Sequence, residues 1–148
     1  MFKTILVATD FSQASKDAAS CARGLAATLG ARLHLLHVVL DPSSQPWTAA
    51  AFAMPLADLI PQWQDDARRD LLLEVPPEER DNVVVAAPVG SPSAEIIQYA
   101  QDHHVDLIVM GTHGRGALGH LFLGSVAERV VRKAPCAVLT VRQGAPET

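Results

Sequence analysis

Cysteine is scarce. The chain has two, Cys21 and Cys136, too few and too far apart for a disulfide framework or a zinc module, so both are expected to be buried thiols in a reducing cytoplasm. An excess of positive charge is also missing. Twelve Lys and Arg against sixteen Asp and Glu leave a net charge of -4, which lacks the basic footprint of a general nucleic-acid binder. DNA and RNA are not expected partners. No apolar run is long enough for a bilayer, because the first one, from Ile5, stops at Asp10, too short and wrongly flanked for a signal peptide or a span. A soluble, cytoplasmic protein with no membrane partner is expected. There is no internal repeat.

What is present suits one core. With 148 residues, 49% hydrophobic and 19% charged, the chain has the length of one domain and the balance of a folded one. A single domain over 1–148 is expected, with a Pro- and Ala-rich excursion at 41–61 and a flexible tail at 143–148. The charge is unevenly placed. Between Asp58 and Asp81 eight acids face three arginines, which reads as a solvated helix face and its exit loop. From Gly111 to Arg142 five bases face Glu128 alone. If an anion binds anywhere, it binds there.

Strand and helix signals alternate. Lys3 to Thr9 is a short β-branched apolar run of the kind covered on both faces. Ser12 is placed to cap a helix whose apolar residues, from Ala14 through Cys21 to Leu29, recur at helical spacing until Gly30 stops it. Strands are then predicted over Arg32–Leu40, Asn82–Ala87, Asp106–Met110 and Cys136–Arg142. The helices between them are predicted over Gln62–Glu74, from Ser91 as N-cap with Pro92 at the first helical position to His103 or His104, and over Ser125–Lys133. Such alternation predicts parallel pairing with right-handed crossovers, an open doubly wound α/β sheet with helices on both faces.

In that architecture ligands bind where the strands end and the winding direction reverses. If strand one is central with strands two and four on either side, the rule selects the ends of strand one (Ala8, Thr9, Asp10), strand two (Val38, Val39) and strand four (Met110, Gly111 onward). The loop after strand four carries five glycines in the fifteen residues from Gly111 to Ser125. Bare backbone amides followed at once by a helix start can cradle phosphates. Two short patterns inside it misfit. Gly114-x-Gly116-x-x-Gly119 has the dinucleotide spacing but follows the wrong strand, and Gly119-x-x-x-x-Gly124-Ser125 lacks the lysine of a P-loop.

A longer spacing fits better: Gly111, two residues, Gly114, nine residues, Gly124, Ser125. With ILVATDFS (Ile5 to Ser12), LLHVV (Leu35 to Val39) and APCAVLTVR (Ala134 to Arg142), it resembles the nucleotide-binding branch of the universal stress proteins over nearly the whole chain. The resemblance implies a five-stranded sheet of the adenine nucleotide alpha-hydrolase-like, Rossmann-like type in the order 3-2-1-4-5. It implies that Asp10 meets the ribose or base region, that the Val38 backbone fixes adenine, and that Ala8, Thr9 and Met110 wall the pocket. Gly111 and Gly114, with Gly116 in the same loop, would approach ribose and phosphates, and Gly124, Ser125 and Val126 would bind the phosphate tail. Arg115 could reach phosphate or solvent. The implied ligand is ATP, ADP or AMP with Mg or Mn on its phosphates, since no protein group has metal-ligand spacing. The implied role is a sensor or regulator with little or no hydrolysis.

Plainer readings stand beside these. Asp10 could cap the loop before the first helix, and Ser125 with Glu128 has the spacing of a capping box, which would occupy the hydroxyl. His113 and His120 could touch ligand, although surface loop histidines are usually incidental. His34 and His37, three apart on a strand, face opposite sides and do not make a metal pair. His103 and His104 suit a helix end, and Cys136 suits the core. Trp47, Phe52, Met54 and Leu56 make the excursion too apolar for an ordinary linker: a lid, a partner surface or a packed segment. The last strand, at an expected sheet edge, needs a cover, and a homodimer pairing 136–142 is expected, as the resemblance also implies. The rival readings are an interaction module without nucleotide and a small flavoprotein. The latter would need its phosphate cradle at Thr9-Asp10-Phe11-Ser12, where an acid stands.

Overall fold

A computed structural model of the chain describes residues 1–44, 56–113 and 123–144. Among these residues, seven strands and four helices follow in chain order: β1 (Thr4–Ala8), α1 (Gln13–Leu29), β2 (Arg32–Leu36), β3 (Val39–Leu40), α2 (Ile60–Leu73), β4 (Val83–Ala86), β5 (Val89–Gly90), α3 (Pro92–Asp102), β6 (Leu107–Gly111), α4 (Ser125–Lys133) and β7 (Ala137–Val141). The five longer strands form one sheet in the order β4-β2-β1-β6-β7, every pair parallel. Numbered among themselves these five are 3-2-1-4-5, as expected. β3 and β5 form a separate parallel pair.

The two-residue alternation of the strands builds two cores. Ile5, Val7, Leu33, Leu35, Leu107 and Val109 pack with Ala18, Ala22, Leu71 and Val75 on the side of α1 and α2. Leu6, Ala8, Leu36, Ile108 and Met110 pack with Ile96, Ala100, Ala127 and Val130 on the side of α3 and α4. β1, central and covered on both faces, is apolar at every buried position, as parallel strands between helices must be.

α1 begins and ends as its sequence directs. Ser12 takes the N–H of Ser15 at 3.3 Å, and Gly30 closes the helix at φ 65°, a left-handed conformation that favours glycine. Its buried stripe is mostly alanine (Ala14, Ala18, Ala19, Ala22, Ala26), which lets the helix lie close to the sheet. Cys21 falls beside that stripe and is exposed, which corrects its reading as a buried thiol. At α3, Ser91 occupies the N-cap and Pro92 the first turn, but the Ser91 side chain makes no cap bond; its carbonyl takes the N–H of Glu95.

The second strand is shorter than Arg32–Leu40. β1 ends at Ala8, and its last tie to β2 is Thr9 N–H on Leu36 O. Past that point the chain follows the β4 side, with His37 N–H on Ala86 O and Val39 N–H on Pro88 O. Val38 between them pairs in neither sheet. Most of the 41–61 excursion, including Trp47, Phe52 and Met54, lies outside the described residues, as does most of the tail; α2 starts two residues before its predicted boundary, after a 3-10 turn at Leu56–Leu59.

Candidate nucleotide site

The cavity at the carboxyl ends of β1, β2 and β6 holds about 500 Å³. It opens there because β1 leads to α1 on one face and β6 leads to α4 on the other, so the two connections part. Ala8, Thr9, Asp10, Val38, Met110, Gly111, Gly124, Ser125 and Val126 all line it. Gly114, Arg115 and Gly116, with His120, lie outside the described residues. Sequence reasoning missed Leu36, Ile96 and Ala127, which supply apolar wall, and Ser15, His37 and Thr112, which supply polar groups; His113, weighed as a ligand contact against an incidental loop histidine, also lines the cavity. The helical period could have pointed to Ile96 and Ala127, and Thr112 lies in the glycine-rich loop already singled out; nothing local marks Leu36, Ser15 or His37.

At the β1 end a short polar network fixes the loop. Thr9, buried, donates its hydroxyl to Ser15 Oγ at 2.9 Å and accepts the Phe11 N–H at 3.0 Å. Asp10 Oδ1 takes the Ser12 N–H and the Ser15 hydroxyl, each at 3.0 Å. The capping role of Asp10 is therefore real, and the same residue lines the cavity. Phe11 sits at φ 64°, where a bulky residue is strained by about 1–3 kcal/mol. Its ring lies 4.5 Å from that of His37, whose Nδ1 is 2.9 Å from Thr9 O.

At the β6 end, Gly111 is bare for a packing reason. A Cβ there would stand 3.0 Å from the backbone carbon and Cβ of Ala14, so only glycine lets α1 start this close to the sheet. The Thr112 N–H bonds Val141 O at 3.0 Å, and Thr112 O takes the Gly124 N–H at 2.7 Å. These bonds pin the two ends of the glycine-rich loop together and deliver α4 to the cavity wall.

The capping box does not form. Gly124, not Ser125, is the N-cap of α4, with no side-chain cap bond; the Glu128 N–H goes to Gly124 O, and the Glu128 carboxylate pairs with Arg132 at 2.8 Å. Ser125 is the first helical residue, exposed on the cavity rim. The first-turn N–H groups of Ser125, Val126 and Ala127 have no acceptor within the helix, and the positive end of the helix dipole adds to them. A helix start of this kind favours an anion.

Among the described residues no group of three His, Cys, Asp or Glu is placed to hold an ion. His34 and His37 do face opposite sides. His34 Nδ1 is 2.9 Å from the Tyr99 hydroxyl, and burial, with the charges of His103 and Arg32, pushes its pKa down. His103 caps α3 and stacks on Tyr99 at 4.0 Å. Cys136 is half-buried against the second core, and burial pushes its thiol pKa up, which disfavours the thiolate.

Fold and cavity together define a doubly wound α/β domain with a cavity at its strand ends, one wall of which is the start of a helix. The chain belongs to the universal stress protein family, whose family model matches residues 1–142. It is 39% identical over 145 residues to the Universal stress protein in QAH/OAS sulfhydrylase 3'region of Thermus aquaticus, a match covering 96% of this chain and all of that one. The solved structure of MJ0577, a universal stress protein of Methanocaldococcus jannaschii, superposes with a TM-score of 0.76 at 28% identity, covering 99% of each chain. Two structures share the fold at lower identity: a universal stress protein in complex with cAMP (TM-score 0.65, 22% identity, covering 97% and 99%), and an Arabidopsis thaliana family member with AMP bound (TM-score 0.61, 19% identity, covering 97% and 93%).

Proposed function

We propose that this protein is an adenine-nucleotide-binding sensor or regulator of the stress response, taking ATP, ADP or AMP in the strand-end cavity. The observation that carries the reading is the meeting, in one cavity of about 500 Å³, of the Asp10 carboxylate, the unladdered Val38 peptide and the start of α4. The complexes of family members with cAMP and AMP support the same ligand class.

When bound, the nucleotide supplies a flat base, a diol and a polyanionic tail. Met110, Ile96 and Leu36 exclude water from the base. Val38 offers peptide groups that no strand uses. Asp10 accepts from sugar hydroxyls, since a carboxylate takes up to about four hydrogen bonds. Gly124, Ser125 and Val126 present amides and a hydroxyl to phosphate, with Gly114, Arg115 and Gly116 proposed to complete that cradle. A Mg or Mn ion would ride on the phosphates, because the described residues gather no set of ligands that would hold it.

Catalysis is not part of this reading. Asp10, the carboxylate in the cavity wall, is given to the sugar rather than to an attacking water, and the P-loop lysine is missing, so hydrolysis should be slow. Turnover of about 1 per second or faster with Mg or Mn would contradict it. Binding is tested by thermal scanning: at a hundredfold excess over Kd, ATP should stabilise by about 2.7 kcal/mol, a rise of roughly 5 °C or more. No rise with any adenine nucleotide would favour the interaction module instead.

We also propose a cytoplasmic homodimer pairing the strand at 136–142. β7 lies at the sheet edge with Ala137 and Leu139 exposed, an edge that soluble proteins cover. A monomer in sedimentation at micromolar concentration would remove the dimer. No helix among the described residues is long and apolar enough to cross a membrane.

A further inference from the structure

We propose that Phe11 and His37 form a clamp that positions Asp10 for the sugar diol, so that this aromatic pair sets how well the site distinguishes a ribonucleotide from a deoxy analogue. The proposal rests on the nucleotide reading above and adds residues to it that neither the glycine signature nor the strand-end rule selects.

Phe11 is held at φ 64°, where glycine would sit without strain, so the backbone alone gives no reason for an aromatic residue there. The reason is in what the ring and the amide touch. The Phe11 N–H is held by Thr9 Oγ1 at 3.0 Å, and the ring packs on His37 at 4.5 Å with an interplanar angle of 38°. His37 Nδ1 lies 2.9 Å from Thr9 O. A carbonyl only accepts, so Nδ1 carries the proton, which fixes both the tautomer and the ring's rotation.

Thr9 is thereby tied through its carbonyl, its hydroxyl and its own N–H, which bonds Leu36 O at 2.9 Å. Asp10 stands between this fixed residue and Phe11. Its Oδ1 contacts to Ser12 and Ser15 depend on the turn that the clamp enforces. Remove the tilted ring contact or the Nδ1 bond and the turn relaxes away from positive φ, carrying the carboxylate with it. Oriented acceptors bind better than mobile ones because less ordering is left to do on binding.

The test uses the full chain and two ligands, ATP and 2′,3′-dideoxyATP, with affinities measured by calorimetry. The parent should prefer ATP. His37→Ala should weaken ATP about tenfold, the equivalent of about 1.4 kcal/mol, while leaving the dideoxy ligand within about twofold. His37→Asn, whose amide can reach Thr9 O, should recover most of the loss. Phe11→Ala keeps a Cβ at that strained φ but removes the ring, and should show the same ATP-selective weakening, which keeps the idea testable should His37→Ala fold poorly. Equal weakening of both ligands, or no weakening of either, overturns the clamp while the nucleotide reading survives. A parent chain that binds neither ligand overturns the nucleotide reading, and the clamp's purpose with it.

Discussion

Each end of the sheet places an aspartate beside β1, and the two behave differently. At the strand starts, Asp106 Oδ2 takes the N–H groups of Lys3 and Thr4 at 2.8 and 2.9 Å, while the Asp106 N–H bonds Thr4 O and the Arg32 N–H bonds Lys3 O. Everything there converges and closes. At the strand ends, Asp10 also takes a backbone N–H, but β2 turns off after Leu36, β1 and β6 send their helices to opposite faces, and the aspartate is left lining a cavity. The chemistry of the side chain is the same. What makes one acid structural and the other a candidate ligand group is the parting of the connections, which the fold supplies at one end only.

The sharpest way to break that contrast is at Gly111, where the parting is tightest. Gly111→Ala puts a methyl 3.0 Å from the Ala14 backbone and Cβ, and overpacking against rigid neighbours costs about 2 kcal/mol, or roughly 4 to 8 °C in Tm. Gly24→Ala is the control. A Cβ there meets nothing within 4 Å, and an exposed mid-helix glycine loses about 1 kcal/mol relative to alanine, so this variant should gain stability. If both variants melt alike, the close approach of α1 to β6 is not what Gly111 serves.

Much of the fold is legible in the sequence. The alternating strands and helices, the caps at Ser12 and Gly30 and the span of α4 follow from pattern, turn chemistry and period, all local signals, whereas the sheet order is what the family resemblance implies. The three loops of the site follow from topology. What escapes a linear reading depends on tertiary contact. Val38 leaves its strand because β1 has already ended, a fact about a neighbour rather than about Val38. The Ser125–Glu128 spacing fits a capping box, yet Gly124 takes the cap because Thr112 O holds its N–H. Cys21 fits an apolar period but lies just outside a stripe narrowed to alanines. His37, Ser15 and Thr112 are ordinary polar residues until the strand ends bring them to one cavity.

A third acid differs from both aspartates. Glu74, at the C-cap of α2, has both carboxyl oxygens buried with no hydrogen-bond partner among the described residues, in a crevice of about 450 Å³ shared with Phe11, Lys16 and Asp70. Burial pushes its pKa up and the Asp10 charge adds to that, with Lys16 opposing; the helix C-terminus also disfavours an anion. An acid whose pKa is raised on folding contributes its full stability below the unfolded pKa and loses it as pH rises through the folded one. Glu74→Gln should therefore be more stable than the parent at pH 8, by about 1 kcal/mol or roughly 2 to 4 °C, with the advantage shrinking toward pH 4. Parallel curves of Tm against pH would show that Glu74 finds a partner.

Asp106 carries the smallest expected effect and the opposite sign. The Lys3 N–H first, then that of Thr4, holds its pKa below the usual carboxylate range, and the nearby positive charges of the N-terminus and Lys3 add to this. A depressed acid contributes stability above its unfolded pKa and loses it as pH falls through the folded one. Asp106→Asn keeps an acceptor but not the charge, so it should melt slightly below the parent at pH 7 and converge with it in strong acid. The decisive readout is the ligand. Because Asp106 ties strand starts that close on themselves, ATP affinity should be unchanged in this variant. A measurable loss there would mean that the two ends of the sheet are coupled through β1, and that the cavity owes its geometry to the whole strand rather than to the place where the connections part.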